Sequence, residues 1–221
     1  MMKRTFDVLL ATLGLVVLSP VLVIVAILIK CDSPGPVIFK QTRVGKGFRR
    51  FALFKFRTMV HDAHEKGGQL TIGADTRITR MGYVLRRLKL DELPQLLNIL
   101  KGDMSFVGPR PEISHYAEMF REEYEEVLRV RPGLTDLASL KYLDEQTTLG
   151  ASQDPEKEYI ENILPDKVRL AKLYVSHFSF FYAVEDRAPR VYPWVNEPGG
   201  GTMRGWKLSR RHTVSTAYSI T

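Results

Sequence analysis

One cysteine, Cys31, occurs in 221 residues, so no intrachain disulfide can brace the chain, and this usage fits a reducing compartment. Charge is absent from Val8 to Ile29, 22 residues dominated by Val, Leu and Ile. A run of that length suits a helix long enough to cross a bilayer. A secretory signal is the rival reading and fits less well on two counts. Its apolar core spans about 7–15 residues and ends at a small-residue cleavage site, whereas this run is longer and ends in Ile29-Lys30-Cys31-Asp32. A retained anchor is the reading. No internal repeat is evident, and no zinc-finger or RNP-type signature accompanies the net charge of +7. The glycine turn Val44-Gly45-Lys46-Gly47 is followed by Phe48-Arg49, not by the Lys-Ser/Thr that a phosphate-cradling P-loop requires.

What is present is an uneven distribution of charge on an otherwise ordinary globular composition, 44% hydrophobic and 26% charged. Residues 30–101 hold 15 Lys/Arg against 6 Asp/Glu, residues 102–186 hold 9 against 17, and residues 187–221 hold 6 against 1. The basic excess therefore lies directly after the apolar segment and in the tail. A basic block beside a membrane segment fits anionic headgroups and phosphorylated ligands; no nucleic acid is implied.

Ser19-Pro20 interrupts the middle of the apolar run. Proline removes a backbone donor and crowds the preceding turn, so a kink or break is expected there. Lys3 and Arg4 precede the run, and Lys30, Lys40, Arg43 and Lys46 follow it. Positive charge prefers the cytoplasmic side. A helix that enters, breaks at Ser19-Pro20 and returns satisfies both flanks; a kinked helix that spans satisfies the length equally well.

Beyond the turn cluster Ser33-Pro34-Gly35-Pro36, residues 37–39 and 51–56 read as short strands of a hairpin. Ile78, Met81, Val84, Leu85 and Leu88 have helical spacing, and a second helix is expected from about Glu92 to Leu100. Residues 112–129 read as an acidic amphipathic helix and residues 155–175 as another. The expected fold class is α+β, mostly helical, with a membrane anchor over 1–32, a small catalytic domain with a short β-hairpin over 33–186, and an atypical basic tail over 187–221. His61 and His64, with Asp62 and Glu65, read as a solvated helix face rather than a metal site.

The segment Leu88-Lys89-Leu90-Asp91-Glu92-Leu93-Pro94-Gln95 carries the most chemistry. One reading is structural: Asp91 caps a helix and Glu92 favours its dipole. The other is functional. Arg86, Arg87 and Lys89 lie just upstream, where positive potential can also hold a phosphate. Adjacent carboxylates suit Mg²⁺ bridged to a diphosphate, and an aspartate can attack phosphorus to form a covalent intermediate.

Asp91-Glu92-Leu93-Pro94-Gln95, followed by Leu100 through Pro111, resembles the signature of the monotopic polyprenyl-phosphate phosphoglycosyl transferases, the bacterial sugar transferase family. Lys55-Phe56-Arg57-Thr58-Met59, Arg131-Pro132-Gly133-Leu134-Thr135 and the apolar segment broken at Ser19-Pro20 resemble further family motifs in the expected order. The resemblance covers roughly residues 3–180. It implies transfer of a sugar 1-phosphate from a nucleotide-sugar, UDP-linked in the simplest case, to undecaprenyl (polyprenyl) phosphate, initiating exopolysaccharide, O-antigen or glycoprotein glycan assembly. Asp91 would be the nucleophile and a Mg²⁺ ligand. Glu92 would assist proton transfer or orient the metal, and Arg57, Arg86, Arg110 and Arg131 would contact phosphate. The anchor would be re-entrant in the bacterial inner membrane, with the catalytic domain on the cytoplasmic face, and a homodimer is compatible with all of this.

Two stretches depart from the family pattern. Asp136-Leu137-Ala138-Ser139 stands where Gly-Leu-Ala-Gln is often found, which bears on sugar preference. Ala183 through Pro189 replaces an Asp-Leu-Lys-Ile type amphipathic helix. The competing functional class is a membrane-anchored interaction or regulatory protein without catalysis, in which Asp91 is only a helix cap.

Overall fold

In the computed structural model, which describes residues 2–63 and 70–176, the apolar segment folds as one helix, α1 (Met2–Asp32). His64, Glu65 and the tail 187–221 lie outside the described residues. Asp7, Ala11, Val25 and Ile29 are buried, and Leu15, Leu18, Leu22 and Ala26 pack partly buried between them. These positions recur every three or four residues and define one face. The opposite face exposes Leu9, Leu13, Val16, Val17, Val23, Ile24 and Ile27.

The expected break at Ser19-Pro20 does not divide α1 into two helices; Pro20 lies inside it. A proline at position 20 leaves the Val16 carbonyl without its usual i+4 donor. The Ser19 hydroxyl donates to that same oxygen at 2.8 Å, so the acceptor is satisfied and the helix continues.

The expected hairpin is present and longer than its apolar cores. Strands β1 (Ile38–Val44) and β2 (Arg50–Phe56) pair antiparallel from Ile38 opposite Phe56 to Val44 opposite Arg50. Their connection turns at Gly47, whose φ of 65° is the left-handed region that glycine tolerates.

Helix α2 (Arg80–Arg87) begins at Thr79, whose hydroxyl accepts from the Gly82 amide at 3.0 Å. A 3₁₀ turn (Leu90–Glu92) leads to α3 (Gln95–Lys101). Asn98, fully buried on α3, donates to the Ala52 carbonyl at 2.8 Å and accepts from the Phe54 amide at 2.9 Å. One side chain thus fixes α3 against β2. Ala11 of α1 joins Leu53, Leu96, Ile99 and Met104 in the core beneath the anchor, while Val25 and Ile29 join Phe56 and Leu85.

Strands β3 (Ser105–Val107) and β4 (Gly133–Thr135) pair in parallel. Their approach requires glycine, since a Cβ on Gly133 would sit 2.2 Å from the Gly108 nitrogen. This pair brings the Pro109-Arg110-Pro111 loop beside Asp136. The acidic helix is two helices, α4 (Ser114–Met119) and α5 (Arg121–Val127), divided at Phe120. Short helices α6 (Leu137–Lys141) and α7 (Glu145–Ala151) follow. The last expected helix runs through α8 (Pro155–Glu158), a π turn (Tyr159–Ile163) and α9 (Leu164–Ser176). Tyr116, Tyr124, Val127, Leu149, Ile163 and Leu164 form the core of this half.

Candidate active site

Between the hairpin, α2 and α6 lies a broad open cleft of about 2180 Å³, lined among others by Lys55, Arg86, Asp91, Glu92, Arg110 and Asp136. Local backbone geometry places the two carboxylates. After α2, Lys89 adopts φ 57°, a left-handed turn that reverses the chain into the 3₁₀ turn holding Asp91 and Glu92. Asp91 is therefore not the cap of α3, whose N-cap position is Pro94 and carries no side-chain cap bond. The helix-cap reading of Asp91 is thereby set aside. Asp91 is buried, 8% exposed as a residue, and its Oδ1 has no hydrogen-bond partner among the described residues.

An unpaired buried oxygen is costly, and the pKa responds to it. Burial raises Asp91 above 3.8, opposed by Lys55, reinforced by Glu92 and opposed again by Arg86 and Lys89. Glu92 behaves in the opposite way. Its Oε1 accepts from Lys55 Nζ at 3.1 Å and from Arg110 Nη2, and Oε2 accepts from Arg110 Nη1 at 3.4 Å. Burial alone would raise its pKa, but the Lys55 and Arg110 charges overcome burial and hold it far below the ordinary glutamate range. On Lys55, burial outweighs the pull of Glu92 and lowers the pKa. Two cations face one carboxylate, so Glu92 is the member held ionised. Its geometry is that of a bracket between two cations.

Arg110 is held at its backbone as well. Its amide donates to Asp136 Oδ2 at 3.0 Å, while Asp136 Oδ1 accepts from the Ser139 amide at 2.7 Å and caps α6. The departure at Asp136 thus ties the Arg110 loop to α6. Arg86 lines the cleft with its Nε donating to Thr58 Oγ1 at 2.8 Å.

Two of the arginines expected at phosphate spend their guanidinium groups on backbone oxygens. Arg57 donates to the carbonyls of Ile29, Ser33 and Pro34 and to the Ser33 hydroxyl. It closes the C-terminal end of α1, where a cation also complements the helix dipole. Arg131 is exposed, donates to the Gly102 carbonyl at 2.8 Å, and is not among the cleft residues. With Arg4, which donates to the Ile99 and Leu100 carbonyls, it finishes the C-terminus of α3. The structure therefore gathers Asp91, Glu92, Arg86 and Arg110 at the cleft; Arg57 also lines it but turns its guanidinium to the end of α1, and Arg131 lies outside it. It adds Lys55, whose signal in sequence was a lysine inside the otherwise apolar strand end Phe54-Lys55-Phe56.

No group of three His, Cys, Asp or Glu side chains able to hold a metal occurs among the described residues. The unpartnered Oδ1 of Asp91 nevertheless fits an ion that takes one protein oxygen and completes its shell with diphosphate oxygens and water, as Mg²⁺ does.

The family model for bacterial sugar transferases matches residues 1–185. The chain is 45% identical over 143 residues to a UDP-N-acetylgalactosamine-undecaprenyl-phosphate N-acetylgalactosaminephosphotransferase of Aeromonas hydrophila, covering 62% of this chain and 33% of that protein. It is 47% identical over 150 residues to the exopolysaccharide production protein PSS of Rhizobium leguminosarum bv. phaseoli, covering 64% of this chain and 74% of the relative. It is 43% identical over 143 residues to the UDP-glucose:undecaprenyl-phosphate glucose-1-phosphate transferase of Escherichia coli (strain K12), covering 63% of this chain and 31% of the relative. The chain thus spans about a third of the length of the Aeromonas and Escherichia relatives and about three quarters of the Rhizobium one.

Proposed function

Because the chain belongs to the bacterial sugar transferase family, we propose that it transfers a sugar 1-phosphate from a UDP-sugar to undecaprenyl phosphate, with Asp91 as nucleophile. The observation that carries this reading is the buried Asp91 carboxylate, with one oxygen unpartnered and the charges of Lys55 and Arg86 acting on it. The carboxylate attacks the β-phosphorus, the bond to the bridging oxygen breaks, and UMP leaves. A phosphosugar–aspartate ester remains. An oxygen of undecaprenyl phosphate then attacks the same phosphorus, expelling the carboxylate and forming the lipid diphosphate sugar. Arg86 and Arg110 offer guanidinium donors to the charge on the phosphoryl oxygens, and the Lys55–Glu92–Arg110 bracket holds two cations beside the nucleophile. Asp91 would hold Mg²⁺ together with the diphosphate, and the ion, when bound, neutralises charge on the leaving nucleotide.

The test uses purified full-length chain with Mg²⁺, undecaprenyl phosphate and a panel of UDP-sugars. UMP should appear in step with a lipid-linked sugar diphosphate for at least one sugar. Absence of release with every donor would instead favour an anchored protein without catalysis.

The anchor belongs to the same proposal: α1 inserts from the cytoplasmic face of the inner membrane as one unbroken helix with both ends on that face, and does not cross. A straight helix of this length would be about 45 Å long, yet both ends are fastened to one body. Lys3 donates to the Val107 carbonyl at 2.7 Å and Arg4 to α3, while near the other end the Met81 amide donates to Asp32 at 3.2 Å. The buried stripe supports the same reading, since a spanning helix would leave the domain along its length. Single cysteines at Met2 and Lys46, in a Cys31→Ser background, should be labelled by an impermeant thiol reagent from the same side of oriented vesicles. Labelling from opposite sides would establish a spanning helix.

A further inference from the structure

We infer that Thr58 is a positioning residue for the transfer: its hydroxyl holds the Arg86 guanidinium by Nε and so presents the two Nη groups to the phosphoryl oxygens beside Asp91. This rests on the reading of the cleft as a nucleotide-sugar site. Arginine meets phosphate best through its planar fork of donors, and that fork is useful only when its plane is fixed. Here Nε donates to Thr58 Oγ1 at 2.8 Å, the side chain's one hydrogen bond among the described residues. Both Nη groups are thereby left for a ligand, in a residue that lines the cleft and whose charge acts on Asp91.

Thr58 is itself immobilised. It is 7% exposed, and its carbonyl accepts from the Thr79 amide at 3.0 Å, the residue that caps α2. The next bridge along the chain joins Met59 to Ile78. Helix α2 then presses onto Thr58 through Gly82, where a Cβ would lie 2.0 Å from the Thr58 oxygen. The end of β2 and the start of α2 are thus one fixed unit, and Arg86, one turn further along α2, hangs from it at a set angle. Three residues before Thr58 on the same segment, Lys55 reaches Glu92. Holding a cation in place before substrate arrives removes an ordering cost from the reacting complex. Thr58 acts through Arg86 and does not touch the reacting atoms.

The experiment is a double-mutant cycle on UMP release from the best UDP-sugar, with kcat and KM measured separately. Thr58→Val keeps shape and removes the acceptor; Thr58→Ser keeps the acceptor; Arg86→Lys keeps charge and removes Nε. Thr58→Val should lower kcat/KM by about 10–150-fold, the range for a hydrogen bond to a charged group, and Thr58→Ser should stay within about threefold of wild type. In the Arg86→Lys background, Thr58→Val should cost less than about threefold more. Thr58→Ala replaces Val in the cycle if the latter does not fold. The inference is overturned if Thr58→Val matches wild type while Arg86→Lys is impaired. It is equally overturned if Thr58→Val costs as much in the Arg86→Lys background as alone, or if Ser rescues nothing. Wild-type protein that releases no UMP from any donor would overturn the functional reading itself and this role with it.

Discussion

Asparagine in place of Asp91 should lower UMP release by about 10³-fold or more, because an amide does not replace a carboxylate nucleophile. Folding should be unharmed. Asp91 caps no helix, and burial raises its pKa above the 3.8 of a free aspartate. The sign follows from that direction. A carboxyl whose folded pKa exceeds its unfolded one binds the proton more tightly when folded, so ionising it at neutral pH costs stability. Removing the charge should therefore leave the melting temperature equal or higher. The same shift should place the acid limb of kcat/KM above the ordinary aspartate range, since the ionised form attacks. Mass spectrometry supplies the direct check. Wild-type protein incubated with UDP-sugar and Mg²⁺, without lipid acceptor, should carry a sugar-phosphate adduct on the peptide holding Asp91, and the Asp91→Asn variant should carry none. Turnover without an adduct, with kinetics requiring both substrates bound together, would reject the covalent route.

Lys55→Met should be the second most damaging change, lowering kcat/KM by about 10²-fold or more by removing preorganised positive charge beside the nucleophile. Two pH signatures separate this from simple misfolding. Lys55 lowers the pKa of Asp91, so its removal should move the acid limb of kcat/KM to higher pH. Glu92, whose folded pKa is depressed, contributes stability that is present above its unfolded pKa near 4.5 and lost as pH falls toward the folded value. With Lys55 gone that depression shrinks, and the acid-unfolding midpoint should rise. At neutral pH the loss of one bond to Glu92 should cost about 1.5–3 kcal/mol, since Arg110 still holds the carboxylate. An unchanged acid limb would show that Lys55 does not act on Asp91.

The uncharged run Val8–Ile29, the hairpin around Gly45 and Gly47, and the helices of residues 78–100 could be read from the sequence because period and punctuation are local properties. The run from Asp91 to Pro111 carried the family, and with it the nucleophile expected at the site. The individual guanidiniums could not be assigned in that way. An arginine suits a phosphate, a helix C-terminus or a carboxylate equally, and its partner is whatever the fold brings within reach. Arg57 meets the Ile29 and Ser33 carbonyls at the end of α1 and Arg131 that of Gly102, while Arg110 meets Glu92. Asp91 followed the same logic: a residue at an expected helix start became a buried carboxylate with one unpartnered oxygen once Lys89 took a left-handed turn. At Ser19-Pro20 the proline was visible but the hydroxyl that satisfies Val16 was a matter of rotamer. The three-residue strands β3 and β4 are too short to leave a pattern, yet their pairing seats Arg110 on Asp136. Composition and periodicity determined the elements and the chemistry available; long-range packing alone decided which charges share the cleft, because a side chain's partner is set by distances that no local pattern records.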